Sequence, residues 1–229
     1  MKNLIIIGIS KTANYVYEFV EYHHLYNIVG FAVNKEYKHT DHYKGLPIYT
    51  LENLEEEYGS RNFCVFVALF WNHLNRDRKH LYDYCKSKSW EMVNLISPTA
   101  IVRGKILGDN CWIHDYVIIQ HNAILESNII LMSQVLVEPN THISSHCFLG
   151  SKSILGGGSS IGEQCFVGFN AVIFDETSIG KKCIVGACTA IRRHLSDFSK
   201  CTLSSNNYIV KQYSEKQIEE KLDFTLNKR

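Results

Sequence analysis

The sequence contains no long apolar run: no stretch approaches the roughly 18 apolar residues that a membrane-spanning helix needs. The opening Met1-Lys-Asn-Leu-Ile-Ile-Ile-Gly8 is apolar only briefly. It lacks the longer apolar core and small-residue cleavage site of a secretion signal, so the chain is expected in the cytoplasm with reduced cysteines. An excess of charge of one sign is also missing. The 24 Lys and Arg balance 23 Asp and Glu, for a formal net charge of +1. No bulk field therefore draws nucleic acid or an acidic membrane, and neither is expected as a partner. Eight cysteines are present, yet no Cys-x-x-Cys pair or zinc spacing occurs, so no metal is expected. What the chain has in quantity is apolar side chains, at 45%, enough to exclude wholesale disorder.

Glycine is scarce in the first half. Only Gly8, Gly30, Gly45 and Gly59 precede residue 100, and the other ten fall between Gly104 and Gly186. The change comes near Ser97-Pro98, where proline disfavours helix in the residue before it. Residues 1–97 read as alternating strands and helices. Leu4–Ile7, Ile28–Val33, Phe63–Leu69 and Glu91–Ile96 are predicted strands. Thr12–Tyr22, Glu52–Tyr58 and Asn72–Ser87 are predicted helices, the first with Tyr15, Phe19 and Tyr22 at helical spacing. Such alternation implies parallel strands with crossover helices, a Rossmann-like α/β unit.

Residues 98–212 follow a different rule. Steps of six from Leu107 reach Ile113, Ile119, Leu125, Leu131, Val137, Ile143, Leu149, Leu155, Ile161, Val167, Ile173, Ile179, Val185 and Ile191, every one Leu, Ile or Val. Neither a helix nor an ordinary strand has period six; a hexapeptide repeat does. It winds a parallel β-helix, left-handed in the expected fold class, with three six-residue sides to each turn. The segment supplies about five turns. The stepped aliphatics point inward, as do the residues four places later, including Cys111, Cys147, Cys165 and Cys183. These four cysteines thus become small side chains stacked inside a prism. Glycines directly after the aliphatic, such as Gly156, Gly168 and Gly186, are assigned to tight corners. Ser214-Glu-Lys-Gln217 fits a capping box, which predicts a short helix over about 215–224 within a tail of 213–229.

Several motifs span nearly the whole chain: Leu4-Ile-Ile-Ile-Gly8, Val29-Gly-Phe-Ala-Val33, Gly45-Leu-Pro-Ile48, Phe66-Val-Ala-Leu69 with Asn75-Arg76, Ser97-Pro-Thr-Ala100, and the hexapeptides through Ile161–Ile173. On these the chain resembles the sialic-acid O-acetyltransferase NeuD family of sugar acyltransferases, which includes the bacterial PglD-type enzymes. The resemblance implies a homotrimer of parallel prisms. It implies transfer of an acyl group, usually acetyl from acetyl-CoA, to a hydroxyl or amine of a nucleotide-activated sugar for a surface polysaccharide. CoA would lie between neighbouring prisms, and the N-terminal unit would hold the sugar nucleotide.

Relatives place a catalytic histidine two residues after an aliphatic. The match here is Val137-Glu138-Pro139-Asn140, with proline in the base slot. His121 stands one turn earlier in the same slot. Histidine suits a base because its pKa lies near neutrality. The catalytic candidates are therefore His121, His146 and His142, with Glu138 as an orienting carboxylate; His114 fits a structural corner better. Gly168, Asn170, Gly186 and Ala187 match the CoA channel. Ser10 and Lys11, at a helix start, and Trp71 and Asn72, after a strand end, are the acceptor candidates. Two readings stay open: an acyltransferase that attacks directly, and a non-catalytic sugar-nucleotide-binding or assembly subunit that lost its base to Pro139.

Overall fold

The computed structural model describes residues 1–59 and 63–203. The expected C-terminal helix lies outside these residues. In the N-terminal unit, β1 (Asn3–Ile7), β2 (Asn27–Val33), β4 (Leu46–Thr50) and β5 (Cys64–Val67) pair in parallel, with β3 (His42–Tyr43) antiparallel at the edge, in the order β3-β4-β2-β1-β5. Helices α1 (Lys11–His23), α2 (Leu54–Tyr58) and α3 (Arg76–Ser87) complete it. The side chain of Ser10 accepts the Thr12 N–H at 3.2 Å and caps α1. Burial on α1 follows Ala13, Val16, Phe19 and Val20 rather than the expected tyrosine face: Tyr15 and Tyr22 are exposed. Glu91–Ile96 does not form a fourth central strand. Met92 makes one bridge to Val65, and Leu95–Ile96 (β6) turns away to pair with Trp112–Ile113 as the first rung of the second unit.

That second unit is a three-faced prism of two-residue strands, stacked in parallel. One face, seven strands from Leu95–Ile96 to Lys200–Cys201, carries the N-terminal unit and is termed the docked face. The second, six strands from Ile101–Val102 to Ala190–Ile191, is covered by none of the described residues and is termed the bare face. The third, five strands from Lys105–Ile106 to Ser178–Ile179, presents Lys105, Ile124, His142, Ser160 and Ser178 outward and is termed the mixed face. Every stepped aliphatic from Ile113 to Ile191 is buried, as are the small residues four places on, and together they form one continuous core.

The period fails only at the ends. Leu107 is 67% exposed; its neighbour Ile106 takes the inward seat, paired with Leu125. Val102 and Ile106 are four residues apart, and so are Ile191 and Leu195 at the other end. Both terminal turns thus cut one corner short, and the prism runs further than the five regular turns.

The corners also differ from expectation. The left-handed backbone recurs three residues after each aliphatic, at Asn110, Tyr116, Asn122, Asn128, Gln134, Asn140, His146 and onward, with φ of 52–67°. Asparagine is the commonest occupant because its short amide tolerates this conformation. The glycines after the aliphatics serve another purpose. A Cβ on Gly168 would stand 2.4 Å from the Ala187 nitrogen in the next turn, so these glycines permit close stacking.

Candidate functional site

Three edges separate the faces, and each holds a different part of the expected site. The edge between the mixed and docked faces carries His146. Helix α3 closes over it: Asn75 Nδ2 donates to the Cys165 carbonyl at 3.0 Å, and Arg78 Nη2 donates to the Cys147 carbonyl at 3.0 Å. Gln164 Nε2 returns a bond to the Leu74 carbonyl at 3.0 Å. A side-chain ladder runs up the same edge, from Asn110 Nδ2 to Asn128 Oδ1 and from Asn128 Nδ2 to His146 Nδ1, both at 2.8 Å. His146 Nε2 lies 3.3 Å from Lys79 Nζ. Both ring nitrogens are engaged, and burial, with the Lys79 charge second, pushes the pKa down to about 4. His146 therefore belongs to the junction of the two units and is removed from the prism surface.

The docked face buries Trp112, Ile130 and Phe148 in one core with β1, β2 and α1. Trp71 joins this seam, its ring 4.9 Å from Phe70 and 4.5 Å from Phe148. His114 is buried here too. Its ring lies 4.3 Å from Trp112 and its Nδ1 3.2 Å from the Tyr15 hydroxyl. Desolvation lowers its pKa to about 4, so it is neutral near pH 7.

A cleft of about 600 Å³ opens at the carboxyl ends of β1 and β2, lined by Gly8, Ser10, Asn34, Glu36, His39, Asp77 and His80 among others. Ligands of parallel α/β sheets bind at such strand ends. Of the four acceptor candidates, only Ser10 lines it. Lys11 and Asn72 are exposed outside it, and Trp71 packs on the prism. The useful signals that sequence reading missed are Glu36, His39, Asp77 and His80, which follow β2 or sit on α3.

The edge between the bare and mixed faces carries the base slot. His121, Pro139, Gly157 and Asp175 stack there, one per turn: Asn140 N donates to the His121 carbonyl at 3.2 Å and Gly158 N to the Pro139 carbonyl at 2.9 Å. A groove of about 820 Å³ beside it is lined by Glu138, Pro139, Asn140, Gly156–Gly158, Asp175 and Glu176, with Ile154 and Val172. Asp175 Oδ1 accepts the Gly157 N–H at 2.8 Å. His121 is exposed and its ring has no hydrogen-bond partner among the described residues. Glu138 lines the groove but orients no histidine among them. On the mixed face a different carboxylate orients a candidate histidine: Glu126 Oε1 lies 3.0 Å from His142 Nε2. Glu126 Oε2 accepts both the Ser145 N–H and its hydroxyl at 2.9 Å. Burial alone would raise the Glu126 pKa, but these bonds and the nearby histidine outweigh it and lower the pKa.

The CoA candidates lie on the third edge, between the docked and bare faces. Gly168 is buried, and coil stacking alone accounts for its missing side chain. Asn170 and Ala187 are exposed, with Gly186 beside them. Within one chain, the bare face separates these residues from His121 and Glu138.

Comparison with known proteins yields consistent findings. Residues 159–193 match the model of the hexapeptide repeat of succinyl-transferase. No curated protein matches. Among solved structures, PerB from Caulobacter crescentus in complex with CoA and GDP-perosamine is 24% identical, with a TM-score of 0.76, covering 89% of this chain and 95% of its own. The acetyltransferase domain of PglB from Neisseria gonorrhoeae in complex with acetyl coenzyme A is 19% identical, with a TM-score of 0.76 and coverages of 88% and 96%. WeeI from Acinetobacter baumannii is 14% identical, with a TM-score of 0.72 and coverages of 89% and 97%. Over nearly its whole described length, the chain has the fold of these proteins, both units included.

Proposed function

We propose that the protein is an acyltransferase. It moves an acyl group from acetyl-CoA, or a related acyl-CoA, to an amine or hydroxyl of a nucleotide-activated sugar for surface polysaccharide or glycan synthesis. The observation that carries this reading is the pairing of two units in one chain, a strand-end cleft and a hexapeptide prism. The same pairing occurs over matched lengths in structures holding CoA with GDP-perosamine. Attack is direct. The inward thiols Cys111, Cys165 and Cys183 are poor nucleophiles: burial pushes Cys111 up to about 12 and raises Cys183, and the hydrogen bond with Cys147, together with burial, raises Cys165, which removes the thiolate.

The working form is a homotrimer in the cytoplasm. On the bare face, Ile101, Ile118, Leu136, Ile154 and Val172 stand in register as an outward apolar column, with Ala190 above them. The docked face has a comparable column that the N-terminal unit covers; the bare one has no cover among the described residues. A second copy on that face buries the column. It also brings the Asn170–Ala187 edge of one chain near the Glu138 edge of another, which a single chain cannot do.

The test is release of free thiol from acetyl-CoA in the presence of a panel of nucleotide amino- and hydroxy-sugars. Release above background with at least one acceptor supports the reading. No release with any of them, together with retained sugar-nucleotide binding, supports the second reading. In that reading, Pro139 marks a binding or assembly subunit without a base.

A further inference from the structure

We propose that His142 is the base of the transfer and Glu126 its positioning residue, a pair that takes over from the slot lost to Pro139. This inference rests on the acyltransferase reading and names the group within it.

A general base needs a lone pair that is free, accessible and held in place. The prism histidines divide on this requirement. His114 is buried in the seam between the units, and His146 has both nitrogens occupied beneath α3. His194 Nδ1 accepts the Ser178 N–H at 2.9 Å, so its proton is on Nε2 and that atom can only donate. His121 is accessible, but nothing among the described residues orients it.

His142 meets all three conditions. Its Nε2 hydrogen points at Glu126 Oε1, 3.0 Å away, which fixes the tautomer and leaves Nδ1 as the acceptor. Glu126 is itself held by two bonds from Ser145, so the carboxylate is a fixed point rather than a drifting surface charge. The arrangement is that of a base turned by a buttressed carboxylate. His142 lies between Ile124 and Ser160 in its ladder, neither of them titratable, so Glu126 is the charged group that governs it. The strand containing His142 leaves the corner residues Glu138, Pro139 and Asn140, which line the groove. The base thus moves three residues along the chain, from that edge onto the adjoining mixed face.

In the transfer, the acceptor nitrogen or oxygen attacks the thioester carbonyl. A carbon–nitrogen or carbon–oxygen bond forms and the carbon–sulfur bond breaks. The acceptor proton passes to His142 Nδ1, then to the departing CoA thiolate. The products are the acylated sugar and free CoA thiol.

The experiment compares wild type, His142→Gln, Glu126→Gln, Glu126→Asp and His121→Ala, with one acceptor throughout. His142→Gln is expected to lower kcat by about 10²–10⁴-fold, with KM for acyl-CoA and the melting temperature unchanged. Glu126→Gln is expected to lower kcat with KM for acyl-CoA and the melting temperature unchanged, and Glu126→Asp, which keeps the carboxylate, to restore part of the loss. A purely structural Glu126 would lower the melting temperature and leave kcat in place. Full turnover by His142→Gln, or loss confined to His121→Ala, overturns the assignment while acyl transfer stands. Absence of thiol release by the wild type with every acceptor overturns the acyltransferase reading and the assignment with it.

Discussion

Replacing Gly168 by alanine tests the stacking of the prism at a point where only backbone atoms face the added group. The added Cβ would lie 2.4 Å from Ala187 N, 2.8 Å from its Cα and 2.8 Å from the Gly186 carbonyl carbon. All three are backbone atoms, so no side chain can swing aside. Ordinary contact requires about 3.5 Å, so two turns must part locally by about 1 Å. The bonds that cross this seam are Gly168 N to the Val185 carbonyl at 2.8 Å and Cys188 N to the Phe169 carbonyl at 2.7 Å. Stretching both forfeits about 2 kcal/mol, and residual overpacking adds about 1 kcal/mol or more. A loss of about 3 kcal/mol lowers the melting temperature by about 6–12 °C for a chain of this size. Gly157→Ala is the control. Its Cβ meets nothing nearer than the Pro139 carbonyl oxygen at 3.5 Å, so it should stay within about 0.5 kcal/mol of wild type. Thermal unfolding followed by circular dichroism measures both. A Gly168→Ala protein that melts with wild type, or a Gly157→Ala protein that falls as far, refutes the close-stacking argument.

Three further outcomes follow from the same geometry. In the native protein, thiol reagents should reach Cys188 first, whereas Cys64, Cys85, Cys111, Cys147, Cys165 and Cys183 should react only on unfolding; mass mapping of labelled peptides checks this. His114 and His146 have folded pKa values of about 4, below the unfolded value of about 6.5, so the unfolded state binds more protons between these limits. Stability should therefore fall, on the order of a few kcal/mol, as pH drops from about 6.5 toward 4; His146→Gln should flatten that slope in urea titrations, and parallel slopes would contradict it. Leu136→Lys, in the middle of the bare apolar column, should yield monomers by sedimentation velocity with the fold intact, because burying an unpaired ammonium costs several kcal/mol.

The prism was legible because one spatial rule repeats in the sequence. Each inward seat recurs every six residues, so Ile113 through Ile191 announce their own burial. Legibility ends where the rule does. Leu107 keeps the period on paper but loses its seat, because the first turn cuts a corner short. Strand β4 contains Pro47, and its pairing with β2 shows only once the sheet is assembled. Cys147, Cys165 and Cys183 were readable as a column; their thiols donating to the Gly162, Gly180 and Ser196 carbonyls were not. The candidate site was legible in its residue types and less so in its pairings. Glu126 precedes His142 by sixteen residues and meets it only because successive turns stack. His146 and Trp71 looked available in sequence, yet the docking of one unit on the other buries His146 and packs the Trp71 ring against Phe148 while leaving it 37% exposed.

The most direct measurement of the central claim is a structure of the assembled protein with CoA. The account predicts CoA between two copies, along the Asn170–Ala187 edge of one, with its sulfur within about 5 Å of His142 Nδ1 of another, the reach of a base acting directly or through one water. CoA held wholly by one chain, or with its sulfur far from every His142, would contradict it.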